Sequence, residues 1–200
     1  PFWPVDWQVG HDGYGVPIIA THADDSHGGQ VAYEYNHPIH TPADIALLCP
    51  RTFWVEREKN LQGKARLEDA FGDLLPVVLR GTSDHIAALT SDLFRLIGND
   101  NLLAWLYDAP DAIHQVMAYL RDDRLAYYHW LEREGLLALN NTDICVGSGS
   151  PGYTSALPQA DYAGQARLRD VWIWMESQET SMISPRMFTR FFLPYMADVA

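Results

Sequence analysis

The residues best suited to chemistry lie together near the end of the chain, in Glu176-Ser177-Gln178-Glu179. Two nearby carboxylates can take opposite roles when burial and mutual repulsion push their pKa values apart, one holding a proton while the other accepts one. Ser177 and Gln178 add a hydroxyl and a carboxamide, groups that hold a substrate by hydrogen bonding. The same cluster would serve equally as hydrogen-bonded scaffold or as a source of metal-ligating oxygen. No Gly-x-Ser-x-Gly elbow is present, so Ser177 reads as a donor and not as a nucleophile. A second candidate is His85, which follows Ser83 and Asp84 just beyond an apolar run. A histidine there titrates near neutrality and stands where barrel enzymes place their chemistry. Asp84 is a substrate-binding candidate whose competing role is to cap the next helix. A third pattern, His22-x-Asp24-Asp25-x-His27, holds nitrogen and oxygen ligands. No helix or strand fixes their geometry, and Asp, Ser, His and Gly are common turn formers, so a solvated loop is the preferred reading and no metal ligand is assigned.

These groups need elements to hold them. Val171–Met175 (VWIWM) is an unbroken apolar run, which suits a strand buried on both faces as in a parallel sheet. After the polar residues comes Ser184-Pro185, a hydroxyl cap followed by proline at the first helical position. Met187, Phe188, Phe191, Phe192 and Tyr195 then recur with helical spacing. The pattern is strand, polar loop, helix, and in α/β proteins ligands are handled at the carboxyl ends of strands. On the strand pleat, Ser177 and Glu179 would point the same way, with Glu176 opposite.

Upstream, residues 1–40 read as loops with short strands near Val16–Ala20 and Val31–Tyr35. Thr41-Pro42-Ala43-Asp44 opens a short helix that stops before Pro50. Residues 51–70 read as an exposed connection with some helix. Leu74–Leu79 is a second buried strand, and Ile86, Leu89, Leu93, Leu96 and Ile97 mark a helix over 85–97. Asp108-Ala109-Pro110-Asp111 starts a longer helix to about Glu134. Its buried side is Ile113, Met117, Leu120, Tyr128 and Leu131, while Arg121, Asp122, Asp123 and Arg124 solvate the other, and Gly135 ends it. Residues 139–170 are long and turn-rich, which predicts an inserted loop or lid over the site, with Tyr153 as its substrate-facing candidate.

Composition excludes several classes. A net charge of −12, with no Lys or Arg in the first fifty residues, argues against nucleic acid or anionic membrane as the main partner. Cys49 and Cys145 form neither a metal spacing nor a disulfide framework, which fits a reducing cytoplasm. No apolar run reaches the roughly 20 residues that span a bilayer.

Glu176-Ser177, Ser184-Pro185-Arg186-Met187-Phe188 and Phe192-Leu193-Pro194-Tyr195 together resemble the uroporphyrinogen decarboxylase superfamily. Leu75–Gly81 (LPVVLRG) is similar to that family's strand before its substrate loop, and Trp105–Leu120 to the helix pair that follows. The resemblance covers about Thr41–Ala200, with interruptions. It implies an α/β fold, a TIM (β/α)8 barrel. With 200 residues against the roughly 250 of a closed barrel, residues 1–200 are expected to form a single barrel domain, incomplete at both ends. The superfamily contains tetrapyrrole decarboxylases and zinc-dependent methyltransferases that work with corrinoid proteins. In the decarboxylases a serine at the place of Ser177 contacts substrate, a tyrosine faces the substrate carboxylates, and arginines cluster near the amino terminus. Here His85–Phe94 contains no tyrosine and residues 1–50 no arginine. The methyltransferase-like branch is therefore the expectation, with Glu176, Glu179 and His85 as catalytic candidates and Ser177, Gln178, Asp84 and Tyr153 as substrate contacts. That branch implies a small-molecule substrate, zinc held by ligands outside this chain, and a corrinoid carried by a partner protein; a homodimer is the oligomer considered. Decarboxylation of acetate side chains on a tetrapyrrole, which needs no metal, is the alternative. A non-catalytic barrel binding protein is the third reading.

Overall fold

The computed structural model describes residues 2–24, 30–82, 85–142, 145–146 and 150–200. In chain order the described elements begin with strands β1 (Trp3–Asp6), β2 (Val9–His11), β3 (Ala20–Asp24), β4 (Gln30–Tyr35) and β5 (Phe53–Val55). Helix α1 (Arg57–Phe71), strands β6 (Val77–Arg80) and β7 (Ile86–Ala87), and helices α2 (Leu89–Asp108) and α3 (Pro110–Arg133) follow. The chain ends with β8 (Cys145–Val146), β9 (Ser150–Pro151), β10 (Trp174–Met175), α4 (Pro185–Phe191) and α5 (Leu193–Val199). The fold is mixed helix and strand. Each sheet among the described residues has two strands, and none closes into a barrel. No helix among the described residues is long and apolar enough to cross a membrane.

The chain divides into two compact units. The first comprises the chain up to His11, Thr52–Ile86 and Ala126–Trp174; the second comprises Asp12–Arg51, Ala87–Leu125 and Met175–Ala200.

In the first unit β1 and β6 run parallel, Trp3 opposite Val77 and Asp6 opposite Arg80. Parallel neighbours need a long crossover, and the intervening chain supplies it with the antiparallel pair β2–β5 and helix α1. Past β6 the same edge continues. Thr82 forms a parallel bridge with Leu137, its N–H donating to Leu136 O at 2.7 Å while Ala138 N donates to Thr82 O at 2.8 Å. Gly81 permits this approach: a Cβ there would lie 2.5 Å from Leu136 O, inside contact distance. Segment 77–82 thus pairs in parallel with 3–6 along β6 and with 136–138 at Thr82.

The VWIWM run departs from expectation. Only Trp174–Met175 is strand, and Val171–Met175 is half-buried throughout instead of sealed on both faces. A side chain does part of the work that a ladder would do. Asn140, fully buried, donates Nδ2 to Trp172 O at 2.7 Å and accepts from Trp172 N at 3.1 Å, while the Trp172 indole donates to Asn140 O.

Segment 139–170, expected as a lid, contains the small β8–β9 pair and a charged latch in the first unit. Arg167 bonds both Asp161 and the buried Asp170, and Asp170 also accepts from Gln159 N at 3.0 Å. The Arg167 guanidinium, with the backbone donors behind it, holds the Asp170 carboxyl well below its usual range, at about 2.

The second unit holds the larger apolar core. Leu89, Leu93, Leu96 and Ile97 on α2 and Ile113, Val116, Met117 and Leu120 on α3 are buried, each set at the helical period. Phe191 and Phe192 join them, and burying each such side chain contributes about 1.5–3 kcal/mol. Helix α2 starts at Leu89, with Ala88 as its N-cap, and runs to Asp108, so the expected helix over 85–97 is displaced and extended. It is broken inside at Gly98 (φ 76°), a left-handed backbone angle suited to glycine. His37 packs against the break, where a Cβ on Gly98 would lie 3.0 Å from His37 Cδ2. The terminal helix of the sequence reading is likewise two: Ser184 Oγ caps α4 by accepting from Met187 N, Phe192 leaves helical geometry, and Pro194 stands in the first turn of α5. Tyr195 then meets His114 Nδ1 at 2.8 Å.

Candidate functional site

The Glu176–Glu179 cluster lies in the second unit, immediately after β10. It does not continue the strand. Gln178–Thr180 forms a single 3-10 turn, closed by Thr180 N and Thr180 Oγ1 donating to Ser177 O at 3.0 and 2.7 Å. The alternation of side chains expected on a pleat therefore does not apply to Ser177 and Glu179. The turn brings Glu179 to helix α2, where its carboxylate accepts from Thr90 Oγ1 at 2.8 Å. Thr90 is fully buried in the first turn of α2, so this carboxylate stands by the positive end of a helix. Glu176 and Ser177 are half-buried and Gln178 is exposed. The group therefore offers one anchored carboxylate, a second carboxylate three residues before it, and a hydroxyl and a carboxamide between them.

His85 belongs to the first unit, where its carbonyl accepts from Trp174 N at 2.8 Å. Its side chain is buried, lies edge-on to the Tyr128 ring at 6.0 Å, and makes no well-formed hydrogen bond at either ring nitrogen. Burial disfavours the imidazolium and lowers its pKa to about 4, with the Ala138 backbone opposing part of that effect. At neutral pH His85 is a neutral imidazole, able to accept a proton at one nitrogen and donate from the other.

This has a measurable consequence. The unfolded chain takes up the His85 proton near pH 6.5, the folded chain only near pH 4. Stability contributed by the neutral ring is therefore present above pH 6.5 and lost as pH falls from 6.5 towards 4, by about 3 kcal/mol in total. Replacing His85 with phenylalanine should flatten the pH dependence of urea unfolding across that interval. Equal slopes in the two proteins would show that His85 is not the group responsible.

Tyr153 is exposed in the first unit. Asp84 lies outside the described residues, as do Asp25–His27 of the histidine-rich pattern. Among the described residues no group of three His, Cys, Asp or Glu side chains could hold a metal ion.

Two features escaped the sequence reading, both in the second unit. Asp123, placed there on a solvated helix face, is buried. It receives the Arg51 Nε at 2.9 and 3.0 Å on its two oxygens, with both side chains about 5% exposed or less. Arg124 pairs with the buried Asp92 at 2.7 Å, and the Arg51 guanidinium lies 4.6 Å from the Tyr14 ring centre. Burial, reinforced by Asp92, raises the Tyr14 phenol far above its usual range. An Arg–Asp pair separated by 72 residues has no local signature in a sequence. The second feature is a groove of about 1160 Å³ beside the β3–β4 hairpin, lined by Tyr33, Tyr35, His37, Phe94 and the α2 break.

Comparison with family models, with curated proteins and with solved structures gives no match to this chain.

Proposed function

We propose that this chain is part of a (β/α)8-barrel enzyme of the uroporphyrinogen decarboxylase type and that it acts in methyl transfer with a corrinoid-carrying partner, in the cytoplasm. The observation that carries the reading is the anchored carboxylate. A strand end opens into a polar turn whose Glu179 is bonded to a buried threonine at the start of α2, directly before a Ser184-capped helix. Supporting it are the parallel pairings of segment 77–82 with 3–6 and, at Thr82, with 136–138, with helices between them in sequence. Favouring methyl transfer over tetrapyrrole decarboxylation is the charge distribution. A substrate bearing many carboxylates calls for free guanidinium groups, and residues 1–50 contain no Lys or Arg. Arg51 and Arg124, in the second unit, are each engaged by an aspartate.

The described side chains do not make a zinc site. What this chain supplies on the proposed reading is positioning and proton handling. Glu179, fixed by Thr90, orients the bound substrate. Glu176 and Ser177 offer an acceptor and a donor to it.

The test is a pair of turnover assays on the same protein. Loss of the methylcobalamin absorption band in the presence of a thiol acceptor supports the proposal. Conversion of uroporphyrinogen to its decarboxylated products, separated and read by fluorescence after chemical oxidation to porphyrins, or turnover in neither assay, overturns it in favour of the decarboxylase and binding-protein readings respectively.

A further inference from the structure

The groove beside the β3–β4 hairpin has a chemistry of its own, and it lies wholly in the second unit. One wall is strand β4. Tyr33 and Tyr35 are two residues apart and so share a face, their rings in edge contact at 5.3 Å. Tyr33 is 62% exposed. The ring row continues inward from Tyr35 to His37 at 6.4 Å and from His37 to Phe94 at 5.2 Å. The opposite wall is the break in α2, where Gly98 turns the chain and leaves Asn99 and Asp100 exposed.

The hairpin is held in place by polar bonds more than by burial. A two-stranded hairpin alone is marginal in water, and most of the described residues of this one are exposed. Asn36 clasps its base, accepting from Ile19 N at 2.9 Å and donating to Pro17 O at 2.9 Å. On the side of α2, His37 Nδ1 meets Arg95 O at 3.2 Å, and Asn101 donates to His40 O at 3.2 Å. These bonds fix an aromatic wall opposite a polar one while leaving the space between them open.

The lining selects its ligand by elimination. It contains Glu34 and Asp100, with the Arg95 guanidinium beside the Tyr35 ring, and this acidic balance disfavours phosphates, carboxylates and nucleic acid. No described cluster suits a metal ion. A cation would meet competition at Tyr35, whose ring already has the Arg95 guanidinium 5.6 Å from its centre. A neutral, hydroxyl-rich ligand with apolar faces fits both walls. Its C–H faces lie against the tyrosine rings, and its hydroxyls bond the carboxamides and the Asp100 carboxylate opposite. Clefts for drug-sized ligands run to roughly 1000 Å³, so this one has room for several sugar rings. We propose that the groove formed by Tyr33, Tyr35 and the α2 break binds a neutral oligosaccharide, independently of the chemistry at Glu176–Glu179.

The experiment is calorimetric titration of the protein with cello-, malto-, xylo-, manno- and N-acetylchito-hexaose, and with tetramethylammonium as the cationic control. Saturable binding of at least one hexasaccharide is expected. Tyr33→Ala should weaken it on the order of threefold to tenfold, the range for loss of one aromatic stacking contact. Tyr33→Phe, which keeps the ring, should bind within about twofold of the parent by the same argument. Tyr107→Ala, at an exposed tyrosine outside the groove, should leave affinity unchanged. Three results would each overturn the proposal: no saturable binding to any sugar, tighter binding of tetramethylammonium than of every sugar, or equal weakening by Tyr33→Ala and Tyr107→Ala.

Discussion

Asp123→Ala is expected to lower the unfolding free energy by about 3–5 kcal/mol, the range for removing one partner of a buried ion pair. The Arg51 guanidinium would remain in an environment where its own side chain is 5% exposed, without the carboxylate that accepts its Nε and Nη2 protons. Its contact with the Tyr14 ring cannot replace a charge, since a cation–π contact is worth about 2 kcal/mol when desolvated. The pair itself need not be a large net stabiliser, because desolvation of both ions offsets their attraction. Arg51→Met combined with Asp123→Leu should therefore recover most of the loss. Urea denaturation of the three proteins measures this. A loss under 1 kcal/mol in Asp123→Ala would mean that the pair is solvated, and a double variant no better than the single one would mean that packing rather than charge is responsible.

Much of the local structure is legible in the sequence because its causes are local. Ser184-Pro185 starts α4 as a hydroxyl cap with proline behind it, and Thr41 with Asp44 starts the short 3-10 helix Pro42–Leu47. The apolar period on Ile113, Met117 and Leu120 identifies the buried face of α3, and Gly135 (φ 68°) ends the segment as expected. The misreadings involve partners far away in the chain. Asp123 looks like a surface residue because it stands among Arg121, Asp122 and Arg124, and only the fold brings Arg51 to it. The helix read over 85–97 stops short of Gly98, where α2 breaks and continues with His37 packed against the break. Residues 51–70, read as an exposed connection with some helix, hold most of the fifteen-residue helix Arg57–Phe71, whose length the mixed charges did not reveal.

The chemical cluster shows the same division. The composition of Glu176–Glu179 and its place after an apolar run are sequence facts. The 3-10 turn that reorients Glu179 is not, because it depends on Thr90 waiting in the first turn of α2, eighty-nine residues away. His85 is visible as a candidate from its position beyond a strand. Its neutrality at physiological pH follows from burial, which no residue near it in sequence announces.

The most direct measurement of the central proposal is kcat for Glu176→Gln and Glu179→Gln in the methyl-transfer assay, taken beside their melting temperatures. Glutamine keeps the shape of each side chain and can still accept from Thr90 Oγ1, so both variants should fold and melt close to the parent. What each loses is charge and the ability to hold a proton. General acid–base groups contribute about 100- to 10,000-fold to rate, and Glu179, the anchored carboxylate, should fall in that range with Glu176 at its lower end. Such a drop in kcat with unchanged melting is the expected result; parental kcat in both variants would remove the two carboxylates from the mechanism.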